Sequence, residues 1–167
     1  STDSKILLIL LMTVIGYTQV YADAIGFIAD EHQLSTKEKR VGEAYDRDDM
    51  KWMICQAEVS DDNPFYQIFL KNIASGDVKQ VSPGTGKTTC AWIHPEQDKV
   101  LFSSTHEDSE AKNKMNAEIE QRKSGVQHSY AWDYDEYYDI YETDFTGGGI
   151  KNLTQTLGYD AEASWSP

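Results

Sequence analysis

Tyr66–Pro95 (YQIFLKNIASGDVKQVSPGTGKTTCAWIHP) lies over Tyr138–Pro167 (YDIYETDFTGGGIKNLTQTLGYDAEASWSP) without a gap, at an offset of 72. Tyr66/Tyr138, Ile68/Ile140, Gly76/Gly148, Lys79/Lys151, Gly86/Gly158, Ala91/Ala163 and Pro95/Pro167 are identical. Phe69/Tyr141, Ile73/Phe145, Val78/Ile150 and Val81/Leu153 keep their apolar character. A repeat of this kind means that one supersecondary unit stacks on copies of itself and buries a shared core.

Working outward, each copy reads as four short antiparallel strands joined by polar turns. In the first copy these are Gly42–Tyr45, Lys51–Ala57, Gln67–Ile73 and Val78–Val81, with Asp61-Asp62-Asn63-Pro64 and Ser75-Gly76-Asp77 as turn signals. In the third strand Ile68, Leu70 and Asn72 fall on one face, and Phe69, Lys71 and Ile73 on the other. The second copy offers Thr89–Ile93, Lys99–Ser104, Tyr138–Phe145 and Ile150–Leu153, and Lys99–Ser104 matches Lys51–Gln56 at an offset of 48. Ala161–Trp165 then reads as the first strand of a third copy, so the chain is expected to be a fragment of a longer stack. Two blades and one strand leave sheet faces uncovered, which predicts marginal stability and a tendency to aggregate.

An insertion, residues 105–137, interrupts the second copy. Ser109–Lys123 reads as a helix with Glu110/Lys114 and Glu118/Arg122 as i,i+4 pairs and Gly125 as its terminator. Its apolar stripe of Ala111, Met115 and Ile119 is narrow, which predicts a surface position. After it, Tyr130, Trp132 and Tyr134 alternate with Ala131, Asp133 and Asp135 as in a half-buried strand.

The N-terminus reads as targeting. Lys5 precedes the apolar run Ile6–Ile15, and Val20-Tyr21-Ala22 carries the small residues of a cleavage site, so residues 1–22 are expected to be a signal peptide, helical if retained and cleaved after Ala22. The apolar core is shorter than the ~20 residues of a membrane span. Residues 23–40 form a polar lead-in. These features predict a periplasmic or secreted protein with no membrane insertion after cleavage.

The 167 residues carry 15 Lys plus Arg against 28 Asp plus Glu, a net charge of −13, with 40% hydrophobic residues and a mean hydropathy of −0.58. Such a surface repels phosphate backbones and points away from nucleic acid, toward cationic partners. The two cysteines, Cys55 and Cys90, fall in strands of neighbouring copies and are expected as buried free thiols. They cannot form a CxxC zinc site.

Chemical motifs are few. Pro83–Thr89 (PGTGKTT) resembles a phosphate loop, but Val81 stands where the pattern needs its first Gly, and a strand rather than a helix follows Lys87. No GxSxG elbow or HExxH pair occurs. His32, His94, His106 and His128 lie apart, and Asp133, Asp135, Glu136 and Asp139 lack EF-hand spacing, so no metal, cofactor or catalytic residue is expected.

The segment Gly158-Tyr159-Asp160-Ala161-Glu162-Ala163-Ser164-Trp165-Ser166-Pro167 resembles the start of the WD40-like (PD40) repeat of TolB-like β-propellers. Tyr138-Asp139-Ile140-Tyr141 through Asp144, then Gly148-Gly149-Ile150-Lys151-Asn152-Leu153-Thr154, follow the D-x-Y-x-x-D and GG-x-x-x-x-LT strands of that repeat. The first copy departs from it: Asp46 replaces the Trp, and Asp48-Asp49-Met50 replaces PDG. His94-Pro95-Glu96 stands where the second SPD belongs. The resemblance covers residues 41–167. It implies an all-β fold, an incomplete β-propeller of two four-stranded antiparallel blades (41–82, and 87–154 with the helical insertion) plus the first strand of a third (158–167). It also implies an exported, non-catalytic protein-binding scaffold of the cell envelope. The alternative is the N-terminal propeller of a secreted peptidase or hydrolase whose catalytic domain lies outside this chain. Innermost strands line a propeller's channel, which places Glu43, Thr88, Thr89, Asp160 and Glu162 as channel-lining candidates for binding a basic protein or peptide.

Overall fold

The computed structural model describes residues 39–126 and 134–166. The chain divides into two compact units, Ser1–Thr36 and Lys37–Pro167, and the described residues all belong to the second. The signal peptide, most of the lead-in, and Tyr130 to Asp133 of the aromatic stretch therefore lie outside the described residues. Tyr134, the described end of that stretch, is exposed and belongs to no strand.

Two four-stranded antiparallel sheets form, each in sequential order, and among the described residues neither closes into a barrel. The first contains β1 (Arg40–Asp46), β2 (Trp52–Glu58), β3 (Gln67–Asn72) and β4 (Val78–Gln80). The second contains β5 (Thr88–Ile93), β6 (Lys99–Ser104), β7 (Asp139–Asp144) and β8 (Lys151–Asn152). Helix α1 (Ala111–Lys123) lies between β6 and β7, where the i,i+4 charge pairs predict it. The outermost strands β4 and β8 are two or three residues long and carry Lys79 and Lys151, features that discourage pairing with other chains.

The sheets share one core. Ile54, Ile68, Leu70 and Val81 of the first sheet meet Ala91, Ile93, Val100, Phe102 and Tyr141 of the second, flanked by Trp52, Phe145 and Ile150. Ile54, Ile68 and Val100 are fully buried, and each such side chain contributes about 1.5–3 kcal/mol of burial energy. Trp52 meets Phe145 edge-on at 5.0 Å. Arg47, in the β1–β2 turn, lies over Phe145 at 5.4 Å and pairs with Asp98 of the β5–β6 turn at 3.1 Å.

The 72-residue repeat holds in hydrogen bonds as well as in residue types. Val81 N donates to Ile68 O at 2.9 Å, and Leu153 N donates to Ile140 O at 2.8 Å. Ile68 N donates to Ser82 Oγ at 3.0 Å, as Ile140 N does to Thr154 Oγ1 at 3.1 Å. Asn72 and Asp144 each accept turn amides, from Ala74 N at 3.1 Å and from Thr146 N at 2.7 Å. The crossover out of each sheet also repeats: Thr88 N donates to Tyr66 O at 3.2 Å and Asp160 N to Tyr138 O at 2.9 Å.

Two expectations need correction. The match of Lys51–Gln56 to Lys99–Ser104 at an offset of 48 is one residue too long. Gln56 pairs with Ile68 and Ser103 with Ile140, so a 72-residue step in the third strands goes with a step of 103 − 56 = 47 in the second. An offset of 48 would equate Ile54 with Phe102, which face each other across the seam, whereas copies in a stack must face the same way. Second, Ala161–Trp165 is not a strand: residues 159–166 have no strand partner among the described residues. The segment still repeats the geometry of β5, because Cys90 (φ 51°) and Glu162 (φ 62°), 72 apart, share the left-handed conformation. Cys55 and Cys90, expected to be buried, are half-buried and form no disulfide.

Candidate functional site

The first strands of the two sheets and the segment after β8 bring together residues from three successive stretches of chain. Each first strand carries a register shift, between Val41 and Ala44 in β1 and between Thr89 and Trp92 in β5, and such bulges re-aim side chains. Glu43 and Tyr45 lie on β1, and the Tyr45 ring packs on Trp92 of β5 with centroids 4.7 Å apart. Tyr45 and Trp92 are each 37% exposed. The nearby Glu43 carboxylate is the main cause of a raised Tyr45 pKa, with burial, Cys90 and Glu162 adding to it. Burial pushes the Cys90 thiol up as well, and Glu43 and Glu162 reinforce this, while a hydrogen bond from the Glu162 backbone N–H works against it. Glu43, Tyr45, Cys90, Trp92 and Glu162 thus form one acidic and aromatic surface patch.

The five sequence candidates therefore separate. Glu43 and Glu162 meet at this patch. Thr89 borders it, with its hydroxyl donating to Gln56 Oε1 at 2.8 Å. Thr88 is only 2% exposed, and its Oγ1 donates to Tyr66 O at 2.9 Å, which takes it off the surface. Asp160 holds the equivalent crossover position and accepts a hydrogen bond from Thr156 Oγ1 at 2.7 Å. Thr88 and Asp160 tie each inner segment to the preceding sheet. Sequence reasoning missed Tyr45 and Trp92. The spacing of Tyr45 from Glu43 on a strand, and the 47-residue step from Tyr45 to Trp92, would have found them.

Among the described residues no group of three or more His, Cys, Asp or Glu is arranged to hold a metal ion. Asp135 pairs with Lys114 at 2.9 Å and Lys87 at 3.6 Å, and Asp139 accepts from Asn152 at 2.7 Å and Thr154 at 2.9 Å. Asp133 lies outside the described residues. Lys87 of the PGTGKTT stretch leads into β5 and sits over the Phe65 ring at 5.3 Å, not at a helix N-terminus. His94 Nδ1 accepts from Glu96 N and Gln97 N at 3.0 and 3.1 Å, closing a turn.

A groove of about 260 Å³ lies at the rim, lined by Val59, Asn63, Phe65, Gln67, Gly84 and Met115 among others. Its amide side chains are satisfied internally. Asn63 Nδ2 donates to Gly84 O at 3.0 Å, and Gln67 Oε1 accepts from Ser82 Oγ at 2.7 Å and Gly84 N at 3.0 Å. Among the described residues no helix is long and apolar enough to cross a membrane.

No family model matches the chain, and no curated protein sequence matches it. Among solved structures it is similar in fold to a protein described as a candidate TolB of Agrobacterium tumefaciens, at 18% identity and a TM-score of 0.52. The similarity covers 77% of this chain but 38% of that protein. At this identity the likeness concerns the fold alone.

Proposed function

We propose that the chain is part of an exported, TolB-like β-propeller that serves as a non-catalytic protein-binding scaffold in the cell envelope. The observation that carries this reading is the likeness in fold to the TolB structure. The repeating hydrogen bonds of the two sheets and of the crossover after them also favour a propeller, because blades stack in that way. The apolar run Ile6–Ile15 followed by Val20-Tyr21-Ala22 favours export.

The binding surface in this reading is the inner-strand patch of Glu43, Tyr45, Trp92 and Glu162, with Thr89 at its border. Paired aromatic rings beside carboxylates suit a Lys or Arg side chain, which gains from both the ring face and the charge. A net charge of −13 steers a basic protein or peptide toward it. The test is the affinity of Lys/Arg-rich peptides, against acidic peptides of equal length, for the wild-type chain and for Glu43→Gln/Glu162→Gln. The proposal expects selective binding of the basic peptides that weakens at least about fivefold in the double variant and falls with salt. Equal affinity in both proteins would remove the patch from the reading. The mature N-terminus in the exporting cell should be Asp23. A reading frame that continues into a GxSxG-bearing α/β domain would favour the hydrolase alternative.

A further inference from the structure

Helix α1 has little apolar stake in the fold. Of its 13 residues only Ala111 is buried, so packing alone does not hold it. Its attachments are polar and occur in two groups. Near its C-terminal end Arg122 Nη1 donates to both oxygens of Glu58, at 2.9 and 3.1 Å, and Arg122 Nη2 donates to Pro64 O at 2.7 Å. Near its N-terminal end Lys114 Nζ donates to the two Asp135 oxygens at 3.0 and 2.9 Å and pairs with Asp108 at 2.7 Å. Between them Met115 accepts Gly86 N at 3.3 Å through its sulfur and forms one wall of the rim groove.

Two of the three carboxylates that hold the helix also have cations outside it. Glu58, 5% exposed, pairs with Arg40 of β1 at 2.6 Å as well as with Arg122. Asp135, 7% exposed, pairs with Lys87 at 3.6 Å as well as with Lys114. Stripping a buried carboxylate of its only cation is costly and ordinarily locks such a contact shut. Here the departure of α1 leaves Glu58 with Arg40 and Asp135 with Lys87. Asp108, whose side chain is 1% exposed and whose cation is Lys114, sits in the helix's own N-terminal turn, bonded to Glu110 N at 2.9 Å, and keeps that pairing as the helix moves. The helix cations themselves are accessible to salt, at 37% side-chain exposure for Arg122 and 34% for Lys114.

We propose that α1 is a detachable electrostatic strap along the groove, which lifts when its ion pairs weaken and carries the Met115 wall away, opening the groove on that side while the two sheets stay intact. Ionic strength is the control, because screening shortens the reach of a charge from about 10 Å at 0.1 M to about 3 Å at 1 M. Amide hydrogen exchange on the whole chain tests this, comparing residues 111–123 with β2 and β6. Protection in α1 should fall about tenfold or more between low and 1 M salt, and equally at low salt in Arg122→Gln/Lys114→Gln, with β2 and β6 unchanged. The strap is refuted if α1 and the strands lose protection together in either condition, or if α1 stays protected in the double variant.

Discussion

Gln56 Oε1, on β2 of the first sheet, accepts a hydrogen bond from the backbone N–H of Cys90, in the bulge of β5 in the second, at 3.2 Å. A bulge leaves a ladder amide without its strand partner, and Gln56 supplies the acceptor from across the seam. Room for the Gln56 side chain exists because residue 42 is glycine: a Cβ there would lie 2.4 Å from Gln56 Nε2. Gln56→Ala should therefore cost about 1–3 kcal/mol, the penalty of an unsatisfied buried amide. Gly42→Ala should cost a similar amount by expelling the same side chain. The two together should cost much less than their sum, and a double-mutant cycle by urea denaturation measures the coupling. Additive losses would mean that the two residues act independently.

Cooperativity between the sheets follows from the shared cluster. Ile54 is fully buried in the cluster that also takes in Val100 and Phe102 of the other sheet. Ile54→Ala should destabilise the fold by about 2–5 kcal/mol. The loss should appear as a single transition in which β2 and β6 lose hydrogen-exchange protection together, as in stacked repeats whose stability resides in the interfaces. If β6 retains its protection while β2 loses it, the seam does not couple the sheets.

How much of this was legible beforehand is clear at the same seam. The turn signals, the 72-residue step and the paired Ile68 and Ile140 were all in the sequence, because polar turns and third-strand spacing are local properties. The 47-residue step of the second strands was not. Met53, Ile54, Gln56, Ala57 and Glu58 are buried, as are Val100 to Ser104, so these strands are covered on both faces. A strand buried on both faces loses the alternation that fixes its register, and the Lys51/Lys99 identity, which occurs only at an offset of 48, draws the overlay one residue away from the paired register. In the candidate site the acidic members were legible by type. Tyr45, Trp92 and the buried position of Thr88 depend on bulges and a crossover that residue types do not encode.

Acid sensitivity should carry a contribution from His106, whose ring lies 4.3 Å from that of Tyr141 and whose Nδ1 meets Ser104 Oγ at 3.0 Å. Burial lowers its pKa below the ordinary 6.5 by penalising the charged ring, against opposing contributions from Glu107 and Asp139. The unfolded chain therefore binds more protons than the folded chain between the depressed value and 6.5, and stability falls as pH drops through that window. His106→Gln should flatten the dependence of unfolding free energy on pH below 6.5 and leave it unchanged above. Parallel wild-type and variant profiles across pH 5 to 6.5 would exclude His106 as the source.

Asn152 offers a sharper test, because its amide sits between two carboxylates. Its Nδ2 donates to Asp139 Oδ2 at 2.7 Å and to Glu107 Oε2 at 3.0 Å, and the Tyr141 hydroxyl also donates to Glu107 Oε2, at 3.2 Å. Asn152→Ala removes the shared donor and should cost about 1–3 kcal/mol. Asn152→Asp keeps the shape but adds a third carboxylate beside two others, so near pH 7 it should cost more than the alanine variant. Like charges crowded in this way raise one another's pKa, and protonation relieves the repulsion. The gap between Asp and Ala variants should therefore close as pH falls toward about 4, where carboxylates take up protons. Thermal unfolding of both variants across pH 4 to 7 measures it. A gap independent of pH would show that lost shape or donor, rather than repulsion, decides the cost at this position.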